Sequence, residues 1–173
     1  MTYEKIRSLI RDVPDFPKPG IVFKDITPLL ADAAAFRATI DALTERVAPL
    51  EADAILAIES RGFIFGAALA HGAGLPLQLV RKRGKLPRES LSMPYELEYG
   101  VDHLEMHKDA VREGGRYLIV DDVIATGGTA AAVAKMVAQQ DAFVAACVFL
   151  IELKFLNGRE RLGGHEVISL LSY

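Results

Sequence analysis

Arg116-Tyr117-Leu118-Ile119-Val120-Asp121-Asp122-Val123-Ile124-Ala125-Thr126-Gly127-Gly128-Thr129 is the stretch from which the fold can be read. Residues 117–120 form an unbroken apolar run, the mark of a strand buried on both faces. Two carboxylates follow at its carboxyl end, and residues 125–129 then open a helix of small residues over about 128–140. Backbone N–H groups in a Gly-rich turn, together with a helix N-terminus, suit a phosphate dianion. Paired carboxylates suit two neighbouring sugar hydroxyls. An ordinary capped βα turn also uses Thr-Gly-Gly. The strand, the acids and the turn in immediate succession favour a phosphorylated-sugar site.

Working outward, the same rhythm recurs. Residues 54–58 read as a buried strand, followed by Glu59-Ser60-Arg61-Gly62, a helix through about residue 71 and a second buried strand over 77–80. Residues 81–95 are polar, with too little apolar periodicity for a packed element. Residues 95–106 alternate well enough for one or two strands around Gly100. Residues 143–151 form a strong strand, with a short helix near 157–162 and a final strand over 166–171. On the N-terminal side, Ile6, Leu9 and Ile10 predict a helix over 3–12. The prolines of residues 14–20 predict turns, and residues 21–26 an extended piece ending at Thr27-Pro28. Asp32 is placed to cap a helix over 33–48, with Phe36, Ile40, Leu43 and Val47 on one face. Alternating strands and helices predict an α/β fold, a mostly parallel twisted sheet with helices on both faces. Ligands in such sheets sit at the carboxyl ends of the strands.

A length of 173 residues suits one domain over 1–173. The longest apolar run, 143–153, is too short for a membrane span, and the first residues lack a signal-peptide core. Cys147 is the single cysteine and sits inside that apolar run, so it reads as a buried small hydrophobe. A net charge of −3 argues against general nucleic-acid affinity. These features predict a soluble, cytoplasmic chain with no nucleic-acid or membrane partner.

Three further stretches carry chemistry. In Glu59-Ser60-Arg61-Gly62-Phe63 a guanidinium suits bidentate phosphate contact and Gly62 permits close backbone approach; a capped turn with a surface arginine is the plainer alternative. Five cations lie among residues 81–88, which read either as a solvated basic loop or as partners of a highly charged anion. The connection up to Tyr95 is long, as active-site lids often are. Glu98 reads from composition alone as an exposed strand carboxylate. His103 and His107 are spaced i, i+4, but no third ligand has suitable spacing, which disfavours zinc. Two anion-suited turns on one sheet edge predict a substrate with phosphate at both ends.

Taken together, residues 15–30, 57–66, 80–87, 95–100, 118–129 and 151–162 resemble the adenine phosphoribosyltransferases, within the type I phosphoribosyltransferases. The resemblance covers nearly the whole chain. It implies that 5-phosphoribosyl diphosphate (PRPP) and adenine react to give AMP and pyrophosphate in purine salvage. It also implies Mg²⁺, carried mainly by PRPP and water rather than by protein ligands, and a homodimer. Residues 1–35 would contribute a base-binding hood, in which Val22, Phe23 and Lys24 sandwich adenine. Ala125, Thr126, Gly127, Gly128 and Thr129 would bind the 5′-phosphate, and Asp121 and Asp122 the ribose hydroxyls. Ser60 and Arg61 would lie in the pyrophosphate loop, which in this family can carry a non-proline cis peptide. Arg81, Lys82 and Lys85 would be the pyrophosphate-side cations, and Glu98 the carboxylate near the imidazole side of the base. Two departures from the family pattern are Glu59, where many relatives carry Asp, and residues 88–94, where small residues are commoner. A phosphoribosyltransferase for an oxopurine, or a non-catalytic PRPP sensor, are the rival expectations.

Overall fold

The computed structural model describes residues 2–96 and 101–173. In chain order its elements are α1 (Tyr3–Ser8), β1 (Arg11–Pro14), β2 (Val22–Asp25), α2 (Thr27–Ala31), α3 (Ala33–Val47), β3 (Ala54–Ile58) and α4 (Gly62–Ala73). Next come β4 (Leu77–Lys82), β5 (Ser90–Glu96), β6 (Val101–His107), β7 (Arg116–Ile124), α5 (Gly128–Ala138), β8 (Phe143–Glu152) and β9 (Val167–Ser172). Short 3₁₀ turns lie at Lys154–Leu156 and Gly158–Leu162. The main sheet has the order β5-β6-β4-β3-β7-β8-β9. From β4 to β9 neighbouring strands run parallel, whereas β5 and β6 pair antiparallel at one edge.

The sheet is buried on both faces because its central strands have apolar residues on both faces. Ile55 and Ala57 of β3, with Leu118 and Val120 of β7, join the core beneath α3 and α4. Leu56 and Ile58, with Tyr117 and Ile119, join the core beneath α5. Asp32 caps α3 by accepting from the Ala34 and Ala35 N–H groups, as its position predicts. Among the described residues no helix is long and apolar enough to cross a membrane.

Four local expectations are corrected. The predicted helix over 3–12 stops at Ser8, because residues 11–14 pair antiparallel with β2, from Arg11↔Asp25 to Pro14↔Val22. That ladder is non-local, so the periodicity of Ile6, Leu9 and Ile10 does not reveal it. Thr27-Pro28 opens α2 instead of ending an extended piece; proline is tolerated in a helix's first turn, where its missing N–H costs no bond. The polar segment over 81–95 contains structure: β4 continues through Lys82, and β5 pairs along β6 from Ser90↔His107 to Glu96↔Val101. An edge strand needs little apolar periodicity and admits Pro94. Finally, the central strand, expected over 117–121, continues through Ile124, so Asp122 as well as Asp121 lies within it.

α4 rests close on β3. A Cβ built at Gly66 would lie 2.5 Å from the Ala57 Cβ, with no flexible side chain to yield. Gly66→Ala is therefore expected to lose about 1–3 kcal/mol through overpacking, despite gaining up to about 1 kcal/mol of helix propensity. A urea midpoint equal to or above that of the parent chain would contradict this packing.

Candidate active site at the carboxyl edge of the sheet

The parallel register of β3 and β7, ending at Ala57↔Val120, sets the turn after β3 beside the acidic end of β7. Gly62 makes the approach possible: a Cβ there would lie 2.7 Å from the Val120 carbonyl oxygen and 2.9 Å from Asp121 Oδ1. Arg61 is thereby carried to Asp122, with Nε 2.9 Å from Oδ2. Its guanidinium also lies 4.8 Å from the centroid of the Phe23 ring, contributed by β2. Three segments distant in sequence thus meet at one guanidinium. Arg61 Nη1 is buried without a hydrogen-bond partner, donor capacity that a bound molecule can satisfy.

A cleft of about 440 Å³ opens here, lined by Glu59, Ser60, Arg61, Lys82, Lys85, Asp121 and Asp122. The peptide bond between Glu59 and Ser60 is cis. Glu59 holds the basic segment in place: it pairs with Lys85, accepts the Lys82 N–H at 2.9 Å and lies 3.4 Å from Arg81 Nε. Buried Glu105 accepts the Gly84 N–H at 2.9 Å and pins the turn from below. Arg81 is not among the residues lining the cleft. It donates to the Lys85 carbonyl and lies over Phe63.

Beyond Asp121 the chain makes the Gly-rich turn. A smaller concavity of about 80 Å³ is lined by Asp121, Thr126, Gly127 and Thr129, among others, so Asp121 borders both spaces. Gly127 takes φ +79°, a left-handed conformation that favours glycine. α5 has no side-chain cap, which leaves its first N–H groups to other acceptors. On the opposite flank, Phe23 packs edge-to-face on Phe16 at 5.1 Å, and Val22 is exposed. Lys24 Nζ pairs with Asp12 at 2.6 Å and lies 4.0 Å from the Tyr173 ring centroid.

The electrostatics are uneven. Burial, and then the charge of Asp122, push the Asp121 carboxyl well above its ordinary range. Burial also raises Asp122, with Arg61 opposing the shift. Glu59 would be raised by burial, but hydrogen bonds from Lys85 and the Lys82 N–H outweigh this and hold it low. The site therefore sets an acid held low by its cations beside an acidic pair whose affinity for protons is raised by burial.

A phosphoribosyl transferase domain model matches residues 24–162. An adenine phosphoribosyltransferase of Thermoanaerobacter pseudethanolicus is 54% identical over the whole of both chains. One of Rubrobacter xylanophilus is 52% identical, covering 99% of this chain and 94% of that one. The chain belongs to the adenine phosphoribosyltransferase family. The fold agrees: the crystal structure of the T. pseudethanolicus protein superposes with a TM-score of 0.97 at 53% identity, covering 99% of this chain and all of that one. A Saccharomyces cerevisiae adenine phosphoribosyltransferase, crystallised with an imino-altritol bisphosphate and adenine, gives 0.92 at 40% identity over 98% of each chain.

Of the residues singled out from sequence, the structure gathers Ser60, Arg61, Lys82, Lys85, Asp121 and Asp122 around one cleft. Ala125, Thr126, Gly127 and Thr129 line the adjoining turn, which Gly128 continues into α5. Phe23 reaches the site through Arg61, whereas the Lys24 side chain turns toward Asp12 and Tyr173. Glu98 lies outside the described residues. Sequence reasoning passed over Glu59 as an organiser, Asp12 and Tyr173. Glu59 offered a signal, a lone acid closing an apolar strand in a chain with five cations downstream. Asp12 and Tyr173 offered none, since their contacts are tertiary.

The acidic pair has a measurable consequence. Because the folded chain holds the Asp121 proton more tightly than the unfolded chain, the group favours folding below its ordinary value of 3.8. That contribution is lost as pH rises through the elevated folded value. Asp121→Asn removes the charge and is expected to raise Tm at pH 7, with the advantage closing as pH falls toward 4. A pH-independent difference in Tm, or none, would contradict the raised value.

Proposed function

We propose that this chain transfers the 5-phosphoribosyl group of PRPP to adenine, giving AMP and pyrophosphate. The observation that carries the reading is that Asp121 borders both the cation-lined cleft and the Gly-rich turn. A pentose with a phosphate at one end and a pyrophosphate at the other spans such a pair of spaces, with its hydroxyls over the acids between. In this reading residues 125–129 take the 5′-phosphate through backbone N–H groups. Asp121 and Asp122 accept the ribose hydroxyls, and Ser60, Arg61, Lys82 and Lys85 face the pyrophosphate, with Arg81 supporting them from behind. Phe23, with Val22 and Lys24 in the hood over residues 1–35, takes the base. Stacking a planar base between Phe23 and Arg61 needs about 7 Å, two van der Waals layers. Their 4.8 Å separation means that one of them yields when adenine binds.

The chemistry follows from charge. The bond from the anomeric carbon to the pyrophosphate oxygen breaks, and the bond to adenine N9 forms, through an oxocarbenium-like state. Cations around the cleft stabilise the negative charge building on the departing group. Positive charge building on the sugar lies beside the two carboxyls of the acidic pair, whose ionised form it favours. Glu98 takes the role of orienting adenine and helping the N9 proton away, on the strength of the resemblance. Among the described residues no three acidic, histidine or cysteine side chains gather as a metal cage. The oxygen donors beside the cleft, Asp121 and Asp122, fit a hard cation held chiefly by substrate oxygens and water. Mg²⁺ bound in that way would neutralise pyrophosphate charge. A homodimer and a cytoplasmic location belong to the same proposal. Exposed Phe155 and Leu156 supply apolar surface consistent with association, and sedimentation tests it.

Asp122→Ala and Arg61→Ala are each expected to lower kcat/KM at least about tenfold, each removing a charge-assisted contact worth ~1.5–3 kcal/mol. Since the two groups touch, the double variant should lose less than the product of the single losses. Near-normal kinetics in both single variants would overturn the site. Pyrophosphate release measured with adenine, hypoxanthine and guanine tests the acceptor, and preference for either oxopurine would overturn adenine.

A further inference from the structure

The segment over 151–162, quoted above for its resemblance, has no part in the cleft, yet its backbone lies directly against the Gly-rich turn. A Cβ on Gly127 would be driven into the Gly158 carbonyl group, with the Gly158 carbon at 3.0 Å. A Cβ on Gly158 would be driven into the Ala125 carbonyl oxygen, with Ile124 Cγ1 at 2.9 Å and the Gly127 nitrogen at 3.1 Å. Two glycine backbones are thus interlocked, and neither loop can shift without the other.

What holds Gly158 in place is its neighbour. Arg159 grips Glu152 with two parallel bonds, Nε to Oε1 at 2.6 Å and Nη2 to Oε2 at 2.7 Å. Arg159 Nη1 donates to the Val167 carbonyl at 3.0 Å, and Ser169 Oγ donates to Glu152 Oε2 at 2.7 Å. The Glu152 side chain is 7% exposed and ends β8, the strand paired with β7. A planar guanidinium fork fixed to a buried carboxylate sets orientation in a way that a lysine cannot. Leu162, buried in the core, pins the far end of the turn. The Leu153 N–H donates to the Ile124 carbonyl at 3.0 Å, which ties the near end to the strand that enters the Gly-rich turn.

We infer that the Gly158–Leu162 turn is the back wall of the 5′-phosphate loop, and that Arg159, locked to Glu152 and Ser169, is a positioning residue for PRPP binding. The inference rests on the reading of residues 125–129 as the phosphate loop. Arg159 acts through Gly158 on the placement of the loop's N–H donors. Its effect therefore falls chiefly on recognition of the phosphate half of the substrate.

The test compares Arg159→Lys, Arg159→Gln and the milder Ser169→Ala with Thr129→Ala in the loop itself. The Arg159 variants are expected to raise KM for PRPP and Kd for AMP about tenfold or more, since small misplacements of binding groups are costly, while KM for adenine stays within about twofold. Ser169→Ala should move the same constants less, in the same direction, and it reports should Arg159→Gln fail to fold. A fall in Tm with unchanged KM for PRPP would make the pair merely structural and overturn the inference. Raised KM for PRPP in Thr129→Ala but in none of the others would overturn the back wall and leave the phosphate loop standing. Unchanged KM for PRPP in all four would overturn both.

Discussion

The parallel pairing of β3 with β7 is the constraint on which the rest depends. It places two strand ends side by side, so that each following turn opens on the same edge. Gly62 then allows the first turn to lie directly on the Val120–Asp121 backbone, and the Arg61–Asp122 contact joins that turn to the end of β7. The register turns two common βα connections into neighbouring spaces that share Asp121.

The surroundings of this edge are arranged by acids as much as by cations. Glu59 gathers Lys85, the Lys82 backbone and Arg81, and Glu105 secures Gly84. The basic segment is thereby ordered in place of being a solvated loop. Glu59, held low by Lys85 and the Lys82 N–H, lowers the net positive charge of the cleft. The buried acidic pair differs: burial raises its affinity for protons.

Support extends past the cleft on both sides. Phe23 is steadied by Phe16 and by the β1–β2 ladder, and Lys24 is held against Asp12 and Tyr173. The Gly-rich turn is backed by Gly158, which Arg159 and Glu152 hold. Segments from both ends of the sequence therefore brace a site whose chemistry-bearing residues come from its middle.

By itself the sequence determined the α/β class, the central strand, the Gly-rich turn at the start of α5 and the Asp32 cap, because each is written in local apolar runs or in turn and cap chemistry within a few residues. It also marked Arg61, Lys82, Lys85, Asp121 and Asp122 as chemistry-bearing, since charged groups closing apolar strands stand out locally. Only the tertiary structure decided that β1 replaces the end of a helix and that β5 is a strand, because both are set by ladders with distant partners. It alone placed Arg81 behind the cleft, made Glu59 the organiser of a segment 26 residues away, and interlocked Gly127 with Gly158. The physical reason is common to all of these. Hydrogen-bond ladders, ion pairs and backbone-on-backbone packing between remote segments leave no periodicity in the chain, and they come into being only when the sheet brings those segments together.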